Sequence, residues 1–139
     1  MTFALLALGL LLPVTLPQSM LEGEALSFLQ AWESEDTRLL GDFMAPEGIR
    51  LQLPGEEHLL IQPRQAQAAL SAFLRHYSGG EAQISRVSLA GGGSEKGSAE
   101  ILWKTGSPEV AEPVTFTLFL AYAFENERWL VTEIRVLFR

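Results

Sequence analysis

Glu133 and Arg135 stand two residues apart near the end of the sequence, in the otherwise apolar segment "NERWLVTEIRVLFR". Turned into a cavity, a carboxylate and a guanidinium could abstract a proton or anchor a polar ligand. Alternate residues of a strand face opposite sides, so the pair shares a face with Trp129, Val131 and Leu137. The opposite face is uncharged and consists of Leu130, Thr132, Ile134, Val136 and Phe138. We expect the uncharged face to meet the core and the pair to lie outside, unless a β-bulge turns it inward.

The two histidines are the next residues that could do chemistry. His58 follows Glu56 and Glu57, and these residue types can hold a metal ion, but neighbours along a strand point to opposite faces. His76 falls near the end of a predicted helix, where the helix dipole favours a cation. We predict a solvated hairpin at His58 and a surface or capping position at His76. The sequence predicts no catalytic residue, no metal site and no cofactor.

Composition excludes several classes of function. The chain has 139 residues, no cysteine and a net charge of −7. Without cysteine there is no disulfide, thiolate metal site or cysteine nucleophile. A negative surface repels phosphate backbones and anionic lipids, so we expect no nucleic-acid binding and no strong membrane-surface binding by the mature domain. The glycine-rich segment 91–97 joins two strands instead of opening a helix, which makes it a hairpin loop and not a phosphate cradle.

The elements that must position these residues begin with helices. Asp36 is predicted as the N-cap of a short second helix, and Pro63 suits the first position of a third. Gly79 or Gly80 is predicted to end that helix in a left-handed cap. Apolar residues recur at helical spacing in the first helix at Leu21, Ala25, Phe28, Leu29 and Trp32. They recur in the third at Ala66, Ala69, Leu70, Phe73, Leu74 and Tyr77.

Strand patterns occupy the rest of the chain. Residues 49–53 alternate, the Pro54-Gly55 turn follows, and residues 58–62 can return as a second strand. Four longer strands follow the third helix. The inward faces of the middle two are predicted to be Ala99, Ile101, Trp103 and Thr105, and then Val114, Phe116, Leu118, Leu120, Tyr122 and Phe124. Consecutive strands with short turns form an antiparallel meander, and helices packed on one face of it make an α+β domain.

The first 19 residues, "MTFALLALGLLLPVTLPQS", carry no charged side chain. The apolar run from 3 to 16 is short for a helix that spans a bilayer, and it is typical of the apolar region of a secretory signal peptide. The alternative is a buried N-terminal helix of the domain. We predict a signal peptide over 1–19, a single domain over 20–139 and an exported protein, periplasmic or secreted.

The order of elements, the Pro54-Gly55 turn and the Trp129-x-Val131 start of the last strand resemble the nuclear-transport-factor-like superfamily of cystatin-like, cone-shaped α+β barrels. That superfamily includes ketosteroid isomerase and scytalone dehydratase, and within it the chain looks most like small bacterial exported domains of unknown function. The resemblance implies a carboxylate base at the end of the first strand and a phenol on the first helix in isomerase-like members. The matching stretch, 51–55, holds no carboxylate, and Phe28 and Trp32 offer no hydroxyl.

We therefore predict a non-enzymatic module that binds a small apolar ligand or a protein. Trp32, Tyr77 and Trp103 are the predicted ligand-binding residues, because each carries an apolar body and a polar tip. The alternatives are an isomerase- or dehydratase-type enzyme with Glu133 turned inward, and a structural module whose cone is filled by side chains. A homodimer through the sheet is predicted from the flat outer face of Thr115, Thr117, Phe119, Ala121 and Ala123, beside Val131 and Leu137.

Overall fold

The computed structural model describes residues 16–90 and 95–139. Within these residues, three helices and six strands follow one another in the order predicted from the sequence. The helices are α1 (Leu16–Glu33), α2 (Thr37–Asp42) and α3 (Pro63–Leu74). The strands are β1 (Ile49–Leu53), β2 (Glu56–Ile61), β3 (Ser78–Leu89), β4 (Lys96–Ser107), β5 (Val110–Glu125) and β6 (Arg128–Phe138).

The strands form one six-stranded sheet in the order β2-β1-β6-β5-β4-β3. All neighbours are antiparallel except β1 and β6, which run parallel. The sheet is curved, and the three helices pack on its concave face. The predicted α+β architecture with a C-terminal meander is confirmed.

The helices form for the reasons that the sequence supplies. The stripe of α1 is fully buried, from Leu21 at 0% exposed to Leu29 at 5%. The Asp36 carboxylate accepts a hydrogen bond from the Leu39 amide at 3.1 Å and so caps α2. Pro63 occupies the first turn of α3, where a missing N–H costs nothing.

Gly79 and Gly80 do not end α3, and that prediction is wrong. The C-cap of α3 is Arg75, in a right-handed conformation. Both glycines begin β3 instead, with φ of 70° and 93°. A Cβ at Gly80 would overlap the carbonyl oxygen of Lys104, so the close approach of β3 to β4 requires glycine here.

The N-terminal end of α1 overlaps the predicted signal peptide. Residues 16–19 belong to α1, and the Pro17 carbonyl accepts a hydrogen bond from the Trp129 indole at 3.0 Å. The rest of the predicted signal peptide, and residues 91–94 of the predicted hairpin loop, lie outside the described residues. Among the described helices, none combines the length and the apolar character needed to cross a membrane.

Strand β6 contains a bulge that the sequence pattern did not reveal. Ala121 pairs with Glu133 but Tyr122 pairs with Val131, so Thr132 is an extra residue in β6. The bulge reverses the alternation of faces midway along the strand. The inward residues are consequently Trp129 and Val131 before it and Ile134 and Val136 after it, all buried. The prediction of an outer position for Trp129 and Val131 is therefore wrong.

Candidate functional site

An aromatic cluster fills the concave side of the sheet at the end where α3, β4 and β6 finish. Phe116 of β5 lies at its centre. Its ring centroid is 5.0 Å from that of Tyr77, 5.2 Å from Trp103 and 4.8 Å from Phe138. We call these seven side chains the aromatic cluster: Phe28, Trp32, Phe73, Tyr77, Trp103, Phe116 and Phe138.

Exposure of the rings rises along the aromatic cluster from α1 to the C-terminal end of β6. Trp32 and Trp103 are 1% and 2% exposed and meet edge to face, with ring centroids 5.3 Å apart. Tyr77 is half-buried, and Phe138 is 59% exposed. The cluster is thus a continuous aromatic stack whose outer end, formed by Tyr77 and Phe138, faces solvent.

Within the aromatic cluster, a hydrogen bond fixes the Trp103 indole, whereas the Trp32 indole has no described acceptor. The Gly79 carbonyl accepts from Trp103 Nε1 at 3.3 Å and from Thr105 Oγ1 at 3.1 Å. The Glu35 carboxylate in turn accepts from the Gly79 amide at 3.3 Å. Trp32 Nε1 is buried and has no acceptor within the described residues. A buried donor without an acceptor is costly, and it is the polar feature that a ligand atom would satisfy.

No charged side chain is buried in residues 16–90 and 95–139; the one buried polar residue besides tyrosine and tryptophan is Thr105. Tyr122, on the same face of β5 as Phe116, is 3% exposed, and its hydroxyl has no described partner. Burial raises the pKa of the Tyr122 phenol above its ordinary value, and the Glu24 carboxylate raises it further. This phenol therefore stays protonated and cannot act as a base near neutral pH.

The position at which the resemblance to isomerase-like proteins would place a carboxylate base is apolar here. Leu51 and Leu53 of β1 are buried, at 0% and 4% exposed. Between them, Gln52 is half-buried and pairs across the sheet with Arg135. Proton abstraction needs a base within hydrogen-bond reach of the substrate, and this stretch supplies none.

Glu133 and Arg135 lie on the convex face, as predicted. Arg50 contacts Glu57 at 3.0 Å and Glu133 at 3.7 Å, while Arg135 approaches Glu133 to 4.0 Å. The Arg135 guanidinium also lies 5.7 Å from the centroid of the Phe119 ring. We call these contacts the convex ion-pair network. The bulge at Thr132 precedes the pair, so it turns Trp129 and Val131 inward and leaves Glu133 and Arg135 outside.

The histidines take no part in the aromatic cluster. His58 Nε2 contacts the Glu56 carboxylate at 2.6 Å in the exposed β1–β2 hairpin, as predicted. His76 is exposed in the turn just after α3, beyond the helix end where it was predicted. Across the described parts of the chain, no three His, Cys, Asp or Glu side chains are grouped as metal ligands.

The predicted ligand-binding residues Trp32, Tyr77 and Trp103 come together in the aromatic cluster, although they arise from α1, the α3–β3 turn and β4. Whether they contact a ligand stays a prediction. The sequence pattern did not reveal that Phe116 is the centre of the aromatic cluster or that Phe138 is its outer end. Alternation placed both residues on inward faces. Their position at the same end of β5 and β6 could have indicated that the two rings meet, because Phe116 and Phe138 are paired in the sheet.

Comparison with known proteins identifies the fold and nothing finer. No family model and no curated protein matches the sequence. A ketosteroid isomerase-like protein from Erwinia carotovora atroseptica matches the structure with a TM-score of 0.76 at 11% identity, covering 90% of this chain and 98% of that one. The chain has the nuclear-transport-factor-like cone fold.

Two further cones of this fold have no stated activity. One is a cystatin-like protein of unknown function from Nostoc punctiforme, with a TM-score of 0.70, 14% identity and coverage of 91% of this chain and 93% of that one. The other is a DUF4783 family protein from Bacteroides uniformis, with a TM-score of 0.66, 14% identity and coverage of 80% and 93%. At these identities the likeness establishes the shared cone, and cones of one fold carry unrelated functions.

Proposed function

We propose that this chain is an exported, non-catalytic binding module whose aromatic cluster takes a small apolar ligand. The observation that carries the proposal is the indole N–H of Trp32, a buried donor without a described acceptor at the inner end of a stack of rings. The outer end of that stack, at Tyr77 and Phe138, is open to solvent. A ligand that enters from the outer end meets apolar surface first and one donor last.

The chemistry of the cluster defines the ligand class. Aromatic rings prefer to stack offset or edge to face on other rings, and each such contact contributes beyond simple burial. One indole donor favours a ligand with a single oxygen acceptor. A flat ring compound that carries one hydroxyl or carbonyl group therefore fits best. To reach Trp32 it would replace Tyr77 and Phe73, whose rings pack on Phe116.

The non-catalytic part of the proposal is supported by what surrounds the rings. The carboxylate offered as the alternative base, Glu133, lies on the other face of the sheet in contact with Arg50. Burial raises the pKa of the Tyr122 phenol, so this side chain could donate a hydrogen bond but cannot serve as the base. An isomerase or dehydratase mechanism needs both a base and a donor at the reacting atom.

An NMR titration with 2-naphthol tests the ligand site. The ¹H–¹⁵N spectrum of the full chain has one indole signal for each of Trp32, Trp103 and Trp129. We expect the Trp32 signal to move downfield as its N–H gains an acceptor. The Trp129 signal is an internal control, because its N–H already donates to the Pro17 carbonyl.

Phe138→Ala, which removes an exposed ring, is expected to weaken 2-naphthol binding, whereas Leu59→Ala, which removes an exposed leucine from β2, is the matched control. 2-Naphthol recovered unchanged supports a binding module. A Trp32 signal that stays fixed up to the solubility limit of 2-naphthol would sink the ligand proposal. Chemical conversion of the bound compound would favour the enzyme instead.

The same proposal includes export and self-association. Mass spectrometry of the chain purified from its source tests whether residues 1–19 are removed.

Light scattering tests a two-fold dimer through Thr117, Phe119 and Ala121 on the convex face, a surface that does not include the buried Val131. Phe119→Asp is expected to give a monomer, and a monomeric parent chain would end the dimer proposal. No nucleic-acid or strong membrane-surface binding is proposed.

A further inference from the structure

A polar groove crosses the sheet edge beside the aromatic cluster, on the convex side. It consists of two adjoining cavities of about 460 and 320 Å³ that share Glu81 of β3 and Lys104 of β4. The first cavity reaches Glu33 at the end of α1, and the second reaches Pro113 at the start of β5. We call the surface between Glu33 and Pro113 the rim groove.

Glu81 and Lys104 are opposite each other in the sheet but do not form an ion pair. They are register partners on β3 and β4, and both side chains are exposed. Arg86 and Glu100 are register partners on the same two strands, and they do pair, at 3.6 Å. Within the described residues, no carboxylate pairs with Lys104. The rim groove thus presents both charges to whatever occupies it.

The backbone around the rim groove is irregular on both sides. The β3–β4 register shifts between Ser78 and Glu81, and the β4–β5 register shifts between Thr105 and Ser107. Bulges are frequent at the rims of barrels and beside binding sites, where they re-aim side chains. Glu33 is held in place because its carboxylate accepts a hydrogen bond from the Ala82 amide at 2.8 Å.

We propose that the rim groove binds a small zwitterion, a free amino acid or a dipeptide. Lys104 would take the carboxylate, and Glu33 and Glu81 would take the ammonium group. The carboxylates of Glu33, Glu81 and Glu112 line the groove and would repel a ligand that carries only negative charge. A ligand that carries only positive charge would leave Lys104 without an anionic partner. A ligand with one charge of each sign is attracted at both ends, and this site is independent of the aromatic cluster.

Titration of the full chain with glycylglycine tests the proposal through the amide signals of Glu81, Lys104 and Glu112. N-acetylglycine lacks the ammonium group, and glycinamide lacks the carboxylate. We expect saturable shifts with glycylglycine and binding at least about tenfold weaker with either half-ligand, because each loses one charge-assisted contact. Equal binding of N-acetylglycine, or no saturable shift with glycylglycine, would overturn the proposal.

Matched variants separate the groove from the net charge of the protein. Lys104→Met and Glu81→Gln change exposed side chains and are each expected to weaken glycylglycine binding at least about tenfold. Lys96→Met changes an exposed lysine at the other end of β4 and is expected to leave binding unchanged. Unchanged binding in Lys104→Met, or an equal loss in Lys96→Met, would refute a site at Lys104.

Discussion

The two faces of the sheet differ in charge and burial, although neighbouring residues of one strand, β6, contribute to both. On the concave face, Trp129, Val131 and Ile134 are all at most 1% exposed and contribute to a core in which no described side chain is charged. On the convex face, Glu133 and Arg135 join an ion-pair network with 22% and 40% of their side chains exposed. The concave face is therefore organised by ring packing and burial, and the convex face by solvated charge.

The comparison teaches that polar groups are satisfied in different ways on the two faces. The carboxylates of the convex ion-pair network have cationic partners and water, so each contact contributes little. On the concave face, Trp32 Nε1 and Tyr122 Oη are shielded from water and lack described partners. Truncation of a buried ring on the concave face should have a large effect on stability, removal of an unpaired polar atom there should cost nothing, and changes on the convex face should have small effects.

Deletion of Thr132 should break the difference between the faces. Without the extra residue, one half of β6 must turn over, which either buries Glu133 and Arg135 or exposes Trp129 and Val131. A buried charge without a partner costs several kcal/mol, a large part of the stability of a small domain. We expect the deleted chain to lose its cooperative thermal unfolding in circular dichroism.

Thr132→Val is the control for that deletion, because it keeps the bulge and removes the hydrogen bond from Thr132 Oγ1 to the Ala121 carbonyl. It should cost only about 1 kcal/mol. If the variant without Thr132 unfolds cooperatively, with the same midpoint temperature as the parent, the bulge does not determine which face of β6 is buried.

Trp32→Ala should have the next largest effect. The side chain is 1% exposed and its ring lies 6.1 Å from Phe28 and 5.3 Å from Trp103. Truncation leaves a cavity and should lower the free energy of unfolding in urea by about 3–5 kcal/mol. Leu26→Ala, a substitution on the exposed face of the same helix, should change it by less than about 0.5 kcal/mol. If Trp32→Ala leaves the free energy of unfolding almost unchanged, Trp32 does not belong to the core.

Most of the concave face could be predicted from the sequence because it depends on local periodicity. Alternation gave the buried residues of β4, such as Ile101 and Trp103, and helical spacing gave those of α1. The reversal of faces in β6 could not be predicted, because it follows from pairing with distant segments. One such segment follows α2, where Phe43 and Ala45 form backbone hydrogen bonds with Val131.

The candidate sites were less predictable than the fold, for the same physical reason. Trp32, Tyr77 and Trp103 could be chosen by residue type, but their contacts through Phe116 depend on strand register. Glu81 and Lys104 are brought opposite each other by the pairing of β3 with β4, which the net charge does not reveal. Chemistry that depends on pairing between distant strands requires the structure.

Tyr122→Phe should sharpen the comparison with a smaller effect of the opposite sign. Removing a buried hydroxyl that has no described partner should leave stability unchanged or raise it by up to about 1 kcal/mol at neutral pH. The pKa of this phenol is raised in the folded chain. Above the ordinary pKa of 10.0 the unfolded chain therefore loses the proton first, and the free energy of unfolding of the parent falls as the pH rises. In urea unfolding between pH 9 and 12, the variant should therefore lose less stability than the parent, by up to about 1.4 kcal/mol per pH unit. Tyr77→Phe controls for the loss of a phenol, and an identical alkaline loss in Tyr122→Phe would contradict the assignment.

Glu133→Gln should have a small effect, because the ion pairs that it removes lie on the partly exposed convex face. The substitution removes ion pairs to Arg50 at 3.7 Å and to Arg135 at 4.0 Å, but keeps the shape of the side chain and an oxygen acceptor. Partly exposed pairs of this length are screened by water, so the free energy of unfolding in urea should fall by less than about 1 kcal/mol. The difference should shrink further in high salt.

Because Gln52 is a neutral residue of the same convex face, Gln52→Ala is a suitable control for the loss of packing alone. A loss of several kcal/mol in Glu133→Gln, insensitive to salt, would mean that this carboxylate is buried in the folded chain, contrary to its place in the exposed ion-pair network.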